Sequence, residues 1–158
     1  MMDVVSKNGC FMLNVGPKAI GVICEEEKQV LHKIGEWLKV NGEAVYDSLP
    51  FYVFGEGKKI KNRAFTENLK YGKNDYRFTY KTGVIYVVPM CEKTRQTYKI
   101  KSLRFANEGG IRYDIKNVEI LGYSGVKVEF YRDKKFITLN VSCEIQTDMP
   151  ICFKITID

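Results

Sequence analysis

The order of apolar and polar residues divides the chain into two parts with different periods. Between Glu25 and Asn41, apolar residues recur at intervals of three and four positions, which places them on one face of an α-helix. They are Val30, Leu31, Ile34, Trp37 and Leu38. From Leu49 onward the period changes to two, as in strands with one buried face. Ser48-Leu49-Pro50 therefore predicts a boundary between domains 1–49 and 50–158.

The predicted helix has recognisable ends. Glu25-Glu26-Glu27 place negative charge in its first turn, where the helix dipole favours it. Asn41-Gly42 predicts a left-handed cap at the other end. Before the helix, Phe11–Val15 is almost continuously apolar, which is typical of a parallel strand covered on both faces. Because a single strand and helix cannot bury their own apolar faces, this pair predicts membership of a larger sheet.

The second part predicts a series of short strands separated by turn residues. The predicted strands are Phe51–Phe54, Ala64–Leu69, Tyr76–Lys81, Val84–Met90, Tyr98–Phe105, Val118–Tyr123, Val126–Arg132, Phe136–Val141 and Ile151–Ile157. Strands of this length and spacing indicate an antiparallel β-sandwich or barrel. No helix is strongly indicated after Gly42.

Length and charge narrow the choice of function. At 158 residues the chain is too short for a complete (β/α)8 barrel, which needs about 200 residues or more. The net charge is +6, and Lys58 to Arg104 holds thirteen basic against three acidic residues. A basic, tyrosine-containing segment raises nucleic-acid binding as an alternative. However, basic and apolar residues alternate in Tyr98–Lys101, which favours a solvated strand face, and we expect no nucleic-acid partner.

Candidate metal and redox residues are few. The five cysteines, Cys10, Cys24, Cys91, Cys143 and Cys152, include no Cys-x-x-Cys spacing. They predict small core side chains, with no metal site, disulfide set or cofactor. His32 lies within the helix pattern and predicts a surface or core histidine. The sequence has no apolar run near 18 residues and no signal peptide after Met1, so no membrane partner is expected and localisation stays open.

Several motifs resemble family 29 glycoside hydrolases, the α-L-fucosidases. They are Val4–Pro17, Glu25-Glu26-Glu27, Ile34–Tyr46 and Phe54-Gly55-Glu56-Gly57. Weaker sequence similarity extends over nearly the whole chain. The resemblance implies a mainly β fold, in which an antiparallel β-sandwich is preceded by one βα unit from a (β/α)8-like barrel. One departure is Ile20–Cys24, where the family commonly has Asp-Gly-Thr-Ile-Pro. Losing that Asp and Pro weakens the helix cap.

The resemblance also carries an expectation about chemistry. Members release terminal α-L-fucosyl residues with retention of configuration, which requires two carboxyl groups about 5–5.5 Å apart. In the family both arise from barrel strands upstream of this segment, so this chain is expected to hold no catalytic residue and to be inactive alone. Fucosylated glycans are the expected partners of the intact enzyme, in which the sandwich braces the barrel. Asn14, just after the predicted strand, is the residue closest to a pocket, or else it satisfies the strand end.

Two alternatives accompany this interpretation. The first is a carbohydrate-binding β-sandwich, although the single tryptophan, Trp37, belongs to the helix and not to the strands. The second concerns the first fifty residues, whose apolar faces need a cover. We expect them either to fold back onto the sandwich or to associate with a second copy through the N-terminal strand and helix 25–41.

Overall fold

A computed structural model describes residues 1–57, 70–91, 93–105 and 113–158. Its helices are α1 (Met2–Val5) and α2 (Glu25–Asn41), followed by a 3-10 turn at Gly42–Ala44. Its strands are β1 (Leu49–Glu56), β2 (Tyr76–Lys81), β3 (Val84–Pro89), β4 (Thr97–Ile100), β5 (Ile115–Ile120), β6 (Val128–Arg132), β7 (Ile137–Val141) and β8 (Phe153–Ile157). The predicted helix 25–41 is confirmed at both ends.

The eight strands form two antiparallel sheets. One sheet has the order β1-β2-β3-β8-β5, and the other has the order β4-β7-β6. Alternate residues of each strand point into the space between the sheets, where they form the main core; Phe78, Tyr98 and Phe153 are almost completely buried there. The predicted antiparallel β-sandwich is therefore confirmed.

The first fifty residues add a third layer, on the outer face of the five-stranded sheet. All four residues from Tyr76 to Thr79 in β2 are buried, so this strand is covered on both faces. The outer cover includes Met2, Trp37 and Ala44, which cluster with residues of β3. The Trp37 indole N–H donates to the Pro150 carbonyl at 2.6 Å. The α2 helix thus folds back onto the sandwich, one of the two expected covers.

Most predicted strands are confirmed, with differences at their ends. The strand predicted at Tyr98–Phe105 stops at Ile100, where the chain turns, and the strand predicted at Val118–Tyr123 spans Ile115–Ile120 instead. In both cases an aromatic residue lies beyond the last paired residue. Apolar pattern shows which face is buried, but not where pairing ends. The strand predicted at Ala64–Leu69 lies outside the described residues.

The strand predicted at Phe11–Val15 is wrong. This segment belongs to neither a helix nor a strand, and Met12 is 91% exposed. In the described part of the chain, the N–H groups of residues 10–15 donate to no backbone or side-chain acceptor. A parallel strand is held by hydrogen bonds to flanking strands, and none of the described strands pairs with this segment. Its apolar sequence is therefore left exposed.

Two smaller predictions are also wrong. Gly42 is right-handed (φ −59°) and leads into the 3-10 turn, so it provides no left-handed cap. A side chain at Gly42 would meet the Tyr46 ring, and close packing explains this glycine. Of the five cysteines, Cys152 alone is buried; Cys10 and Cys143 are exposed because they lie in irregular segments outside the sheets. His32 is exposed on α2.

Candidate functional site

One side of the first fifty residues is apolar and largely exposed. We call it the N-terminal apolar face, and it consists of Leu13, Val15, Val30 and Leu31. It surrounds a shallow cleft between the irregular segment and α2, and the cleft has a volume of about 220 Å³. Its apolar lining is Leu13, Val15, Val30 and Leu31, and its polar lining is Asn14, Glu26 and Glu27. Contiguous exposed apolar surface on a folded protein usually marks an interaction site.

The apolar residues on one face of α2 form a stripe that is only half covered. The stripe consists of Val30, Leu31, Ile34, Trp37 and Leu38. Val30 and Trp37 are seven residues apart and so lie on the same side of the helix. Trp37 is 6% exposed against the sandwich, whereas Val30 is 52% exposed. Leu31, seven residues before the partly buried Leu38, is 38% exposed. The sandwich therefore covers the C-terminal half of the stripe and leaves the N-terminal half open.

Polar groups at the rim of this cleft hold the irregular segment against α2. The Gly16 N–H donates to Oε1 of Glu27 at 3.2 Å. The second oxygen, Oε2 of Glu27, is buried and has no hydrogen-bond partner among the described residues. Asn14, the candidate pocket residue, is exposed on the same cleft. Its role stays a prediction.

Two carboxyl groups of the first fifty residues, those of Asp3 and Glu43, have partners in the five-stranded sheet. Nε and Nη2 of the buried Arg77 both lie 2.5 Å from Oδ1 of Asp3, and Lys7 donates to Oδ2 at 2.8 Å. Glu43 accepts from the Tyr86 hydroxyl at 2.5 Å and pairs with Lys154 at 2.7 Å. These contacts join the first fifty residues to the five-stranded sheet.

Asp3 makes the stability of this junction depend on pH. Burial by itself raises the pKa of Asp3, but the hydrogen bonds and charges of Lys7 and Arg77 outweigh it and hold the pKa below its usual value. A lowered folded-state pKa gives stability that is complete above the unfolded pKa, about 3.9. That stability is lost as pH falls through the folded value.

We therefore expect the gap in unfolding free energy between the natural chain and Asp3→Asn to be largest near pH 7. It should shrink as the pH falls below about 5. Urea unfolding at a series of pH values measures it. A gap that stays constant down to pH 3 would show that the Asp3 carboxylate contributes no charge-dependent stability.

A second surface is a basic cavity at one end of the sandwich, with a volume of about 610 Å³. Its charged and polar lining consists of Glu56, Lys73, Asn74, Lys99, Lys101, Ser102 and Arg104. Phe136 forms an apolar wall. The charge surplus of this segment was visible in the sequence, but the convergence of its residues was not, because they come from separate elements.

A third surface is a tyrosine groove of about 280 Å³. Its tyrosine rings are those of Tyr52, Tyr80 and Tyr113, and Asp158 also lines the groove. Burial raises the pKa of Tyr113 to about 12, so its hydroxyl stays protonated at neutral pH. The three tyrosines are far apart in the sequence, and no local pattern predicts that they meet.

Comparison with known proteins shows sequence similarity to α-L-fucosidases in the N-terminal part of the chain. The sequence model of the family described as alpha-L-fucosidase matches residues 1–43. The tissue α-L-fucosidase of Rattus norvegicus is 39% identical over 59 residues, which are 37% of this chain and 13% of that protein. The Homo sapiens tissue α-L-fucosidase is 40% identical over 53 residues, which are 34% of this chain and 11% of that protein.

Solved structures extend the similarity over nearly the whole fold. The α-fucosidase of Thermotoga maritima aligns with 98% of this chain and 32% of its own, with a TM-score of 0.71 and 24% identity. Isoenzyme 1 from Paenibacillus thiaminolyticus aligns with 99% of this chain and 32% of its own, at a TM-score of 0.69 and 21% identity. The chain is therefore similar in sequence to α-L-fucosidases over its first 43 residues, and similar in fold to α-fucosidases over nearly its whole length.

This relationship confirms the resemblance found in the sequence. The chain spans about an eighth of the curated fucosidases that it matches, and about a third of the solved ones. The family match covers the N-terminal apolar face, α2 and the 3-10 turn to Glu43. The part of the chain that matches the fucosidase family model is also the part whose apolar surface is only half covered.

The described residues contain no group of three or more His, Cys, Asp or Glu side chains placed to hold a metal ion. Within the same residues, every helix is too short or too polar to cross a membrane.

Proposed function

We propose that this chain is the non-catalytic C-terminal portion of an α-L-fucosidase and that it braces the catalytic barrel of the intact enzyme. The observation that carries the proposal is the divided stripe of α2. Its C-terminal half is docked on the sandwich through Trp37, and its N-terminal half is exposed at Val30 and Leu31. An apolar stripe that continues along the same side of the helix beyond the sandwich is expected to be covered there by a second apolar surface.

The irregular segment supports the same arrangement. Phe11–Val15 has the composition of a parallel strand with both faces buried, yet its N–H groups have no acceptors in the described part of the chain. Oε2 of Glu27, buried at the same cleft, lacks a donor there as well. Neighbouring barrel strands would supply the backbone partners, and a barrel side chain or N–H would supply the donor. We accordingly propose that residues 1–49 are part of the barrel and residues 50–158 are the sandwich domain.

The state of the carboxyl groups supports the absence of catalysis by the chain alone. A retaining glycosidase needs one carboxyl whose pKa is raised, so that it stays protonated and donates to the leaving group. Where the pKa of a carboxyl side chain shifts among the described residues, it shifts downward. These residues are Asp3, Glu26, Glu43, Asp133, Asp148 and Asp158.

We expect the purified chain to release no p-nitrophenol from p-nitrophenyl α-L-fucoside above the buffer rate. An assay between pH 4 and pH 8 measures it, with the Thermotoga maritima α-fucosidase as positive control. Turnover that exceeds background and disappears on substitution of any carboxylate of this chain would refute the non-catalytic assignment.

In isolation, the exposed stripe has a second consequence. We propose that the isolated chain associates with a second copy through the N-terminal segment and helix 25–41, because about half of that stripe remains uncovered. Sedimentation velocity over a concentration series tests this proposal, with Leu31→Glu as the variant that should restore the monomer. Equal association by both proteins would contradict it.

The tyrosine groove favours a second candidate function, carbohydrate binding by the sandwich. Aromatic rings with hydroxyl groups combine an apolar face with a polar edge, which suits the apolar faces and hydroxyls of a sugar ring. Tyr52 is 61% exposed and makes an edge contact with Phe51, which orients its ring. Calorimetric titration with a fucosylated trisaccharide tests this candidate, which requires binding that Tyr52→Ala abolishes.

A further inference from the structure

The basic cavity brings together four cationic side chains from two parts of the chain. Lys73 precedes β2, Lys99 and Lys101 lie in and just after β4, and Arg104 follows in the same loop. All four are exposed. Within the described ranges none of the four forms an ion pair. Like charges repel one another, so a cluster without carboxylate partners raises the local positive potential.

The acidic groups near these cations are already engaged. Among the described residues that line the cavity, Glu56 is the one carboxylate. Its two oxygens accept from the N–H groups of Lys101 at 2.9 Å and Ser102 at 2.5 Å. Asp133, which Lys99 influences electrostatically, accepts from the N–H groups of Lys135 and Phe136. Both carboxylates hold backbone in place, and the described part of the lining keeps a surplus of three positive charges.

The alternation of β4 explains why the lysines point away from the core. Tyr98 and Ile100 are buried between the sheets, which turns Lys99 outward. The chain turns directly after Ile100, and the contacts of Glu56 fix that turn, which presents Lys101 and Ser102 beside it. A solvated strand face accounts for the outward direction of each lysine. It does not account for their convergence with Lys73 and Arg104 around one concave space.

We propose that this cavity binds a sulfated oligosaccharide. Its volume lies within the range of small-ligand sites, roughly 300–1,000 Å³. Lysine ammonium groups act as point charges for tetrahedral oxyanions, and Arg104 adds a planar fork of donors. The side chains of Ser102 and Asn74 add neutral hydrogen-bonding groups for sugar hydroxyls, and Phe136 offers an apolar wall.

The choice of a glycan over a nucleic acid rests on the proposed function, because it follows from the relationship to glycosidases. The geometry agrees with it. Binding of single-stranded nucleic acid depends on several exposed aromatic rings in a row, on which successive bases stack. Among the described residues that line the cavity, Phe136 is the one aromatic residue, and its ring is half-buried.

The test uses calorimetric titration of the purified chain with a heparin-derived tetrasaccharide and with its desulfated counterpart. The test variant is Lys99→Gln/Lys101→Gln. The control is Lys18→Gln/Lys127→Gln, which removes the same charge; Lys127 precedes β6, at the end of the three-stranded sheet away from Phe136. All four lysines are exposed, so both variants should keep the melting temperature of the natural chain.

We expect the sulfated sugar to bind and the desulfated sugar to bind at least about tenfold more weakly, since charge-assisted contacts are lost. The test variant should lose a similar factor, and the control should change less than about twofold. Equal losses in both variants, or no binding of the sulfated sugar, would overturn the proposal. A single-stranded dodecanucleotide that binds as tightly, with the same dependence on Lys99 and Lys101, would overturn the glycan assignment. Each outcome is independent of fucosidase activity, so it is separable from failure of the proposed function.

Discussion

Trp37→Ala should lower the free energy of unfolding by about 3–5 kcal/mol, the usual cost of removing a large buried aromatic side chain. Trp37 is 6% exposed and packs with Met2, Ala44 and Tyr86 in the outer layer of the sheet. The substitution leaves a cavity between α2 and the five-stranded sheet. It also removes the indole donor of the Pro150 carbonyl, whose distance to Nε1 is 2.6 Å.

Urea unfolding followed by circular dichroism measures this effect. The matched control is Val30→Ala, at the exposed end of the same stripe, where alanine also has the higher helix propensity. We expect the control to stay within about 0.5 kcal/mol of the natural chain. Equal effects at the two positions would mean that α2 is not docked through its C-terminal half.

Arg77→Met should be the next most destabilising change, at about 2–3 kcal/mol. Removing one partner of a fully buried pair costs about 3–5 kcal/mol, and the partial exposure of Asp3 reduces this figure. Arg77 is 1% exposed in β2, whereas the side chain of Asp3 is 28% exposed. Methionine keeps most of the apolar stem, so the loss reports mainly on the guanidinium. That group also donates to the Tyr76 carbonyl at 2.9 Å.

The control for this change is Lys7→Met, because Lys7 pairs with the same carboxylate but is 41% exposed. An exposed pair contributes about 0–1 kcal/mol, so the control should change stability by no more than that. The double variant Asp3→Asn/Arg77→Met completes a mutant cycle. If the two substitutions are additive, the Asp3–Arg77 pair does not join α1 to the sandwich.

Local sequence patterns predicted most of the secondary structure. The ends of α2 and the strand Tyr76–Lys81 follow from apolar period and turn residues that lie within a few positions of each other. The Asp3–Arg77 pair joins residues 74 positions apart, and the basic cavity joins side chains from separate segments in or next to β1, β2, β4 and β7. Neither feature has a local signal, because each depends on how the layers pack.

The failed strand at Phe11–Val15 shows a different limit. Apolar sequence indicates that a segment is suited to burial, but it does not state which surface covers it. The same is true of the helix stripe, whose two halves look alike in the sequence and differ in the structure at Val30 and Trp37. Both features become consistent if a barrel covers the N-terminal apolar face.

Hydrogen–deuterium exchange of the Leu31→Glu variant, which is expected to be monomeric, is the sharpest test of the proposal that a barrel covers the N-terminal apolar face in the intact enzyme. We predict slow exchange in β2, β3, β8 and residues 34–41 of α2, and exchange at nearly the unprotected rate across residues 10–15, which donate no hydrogen bond among the described residues. Residues 10–15 as protected as β3 would contradict it, because a segment already paired in a complete fold needs no barrel to cover it.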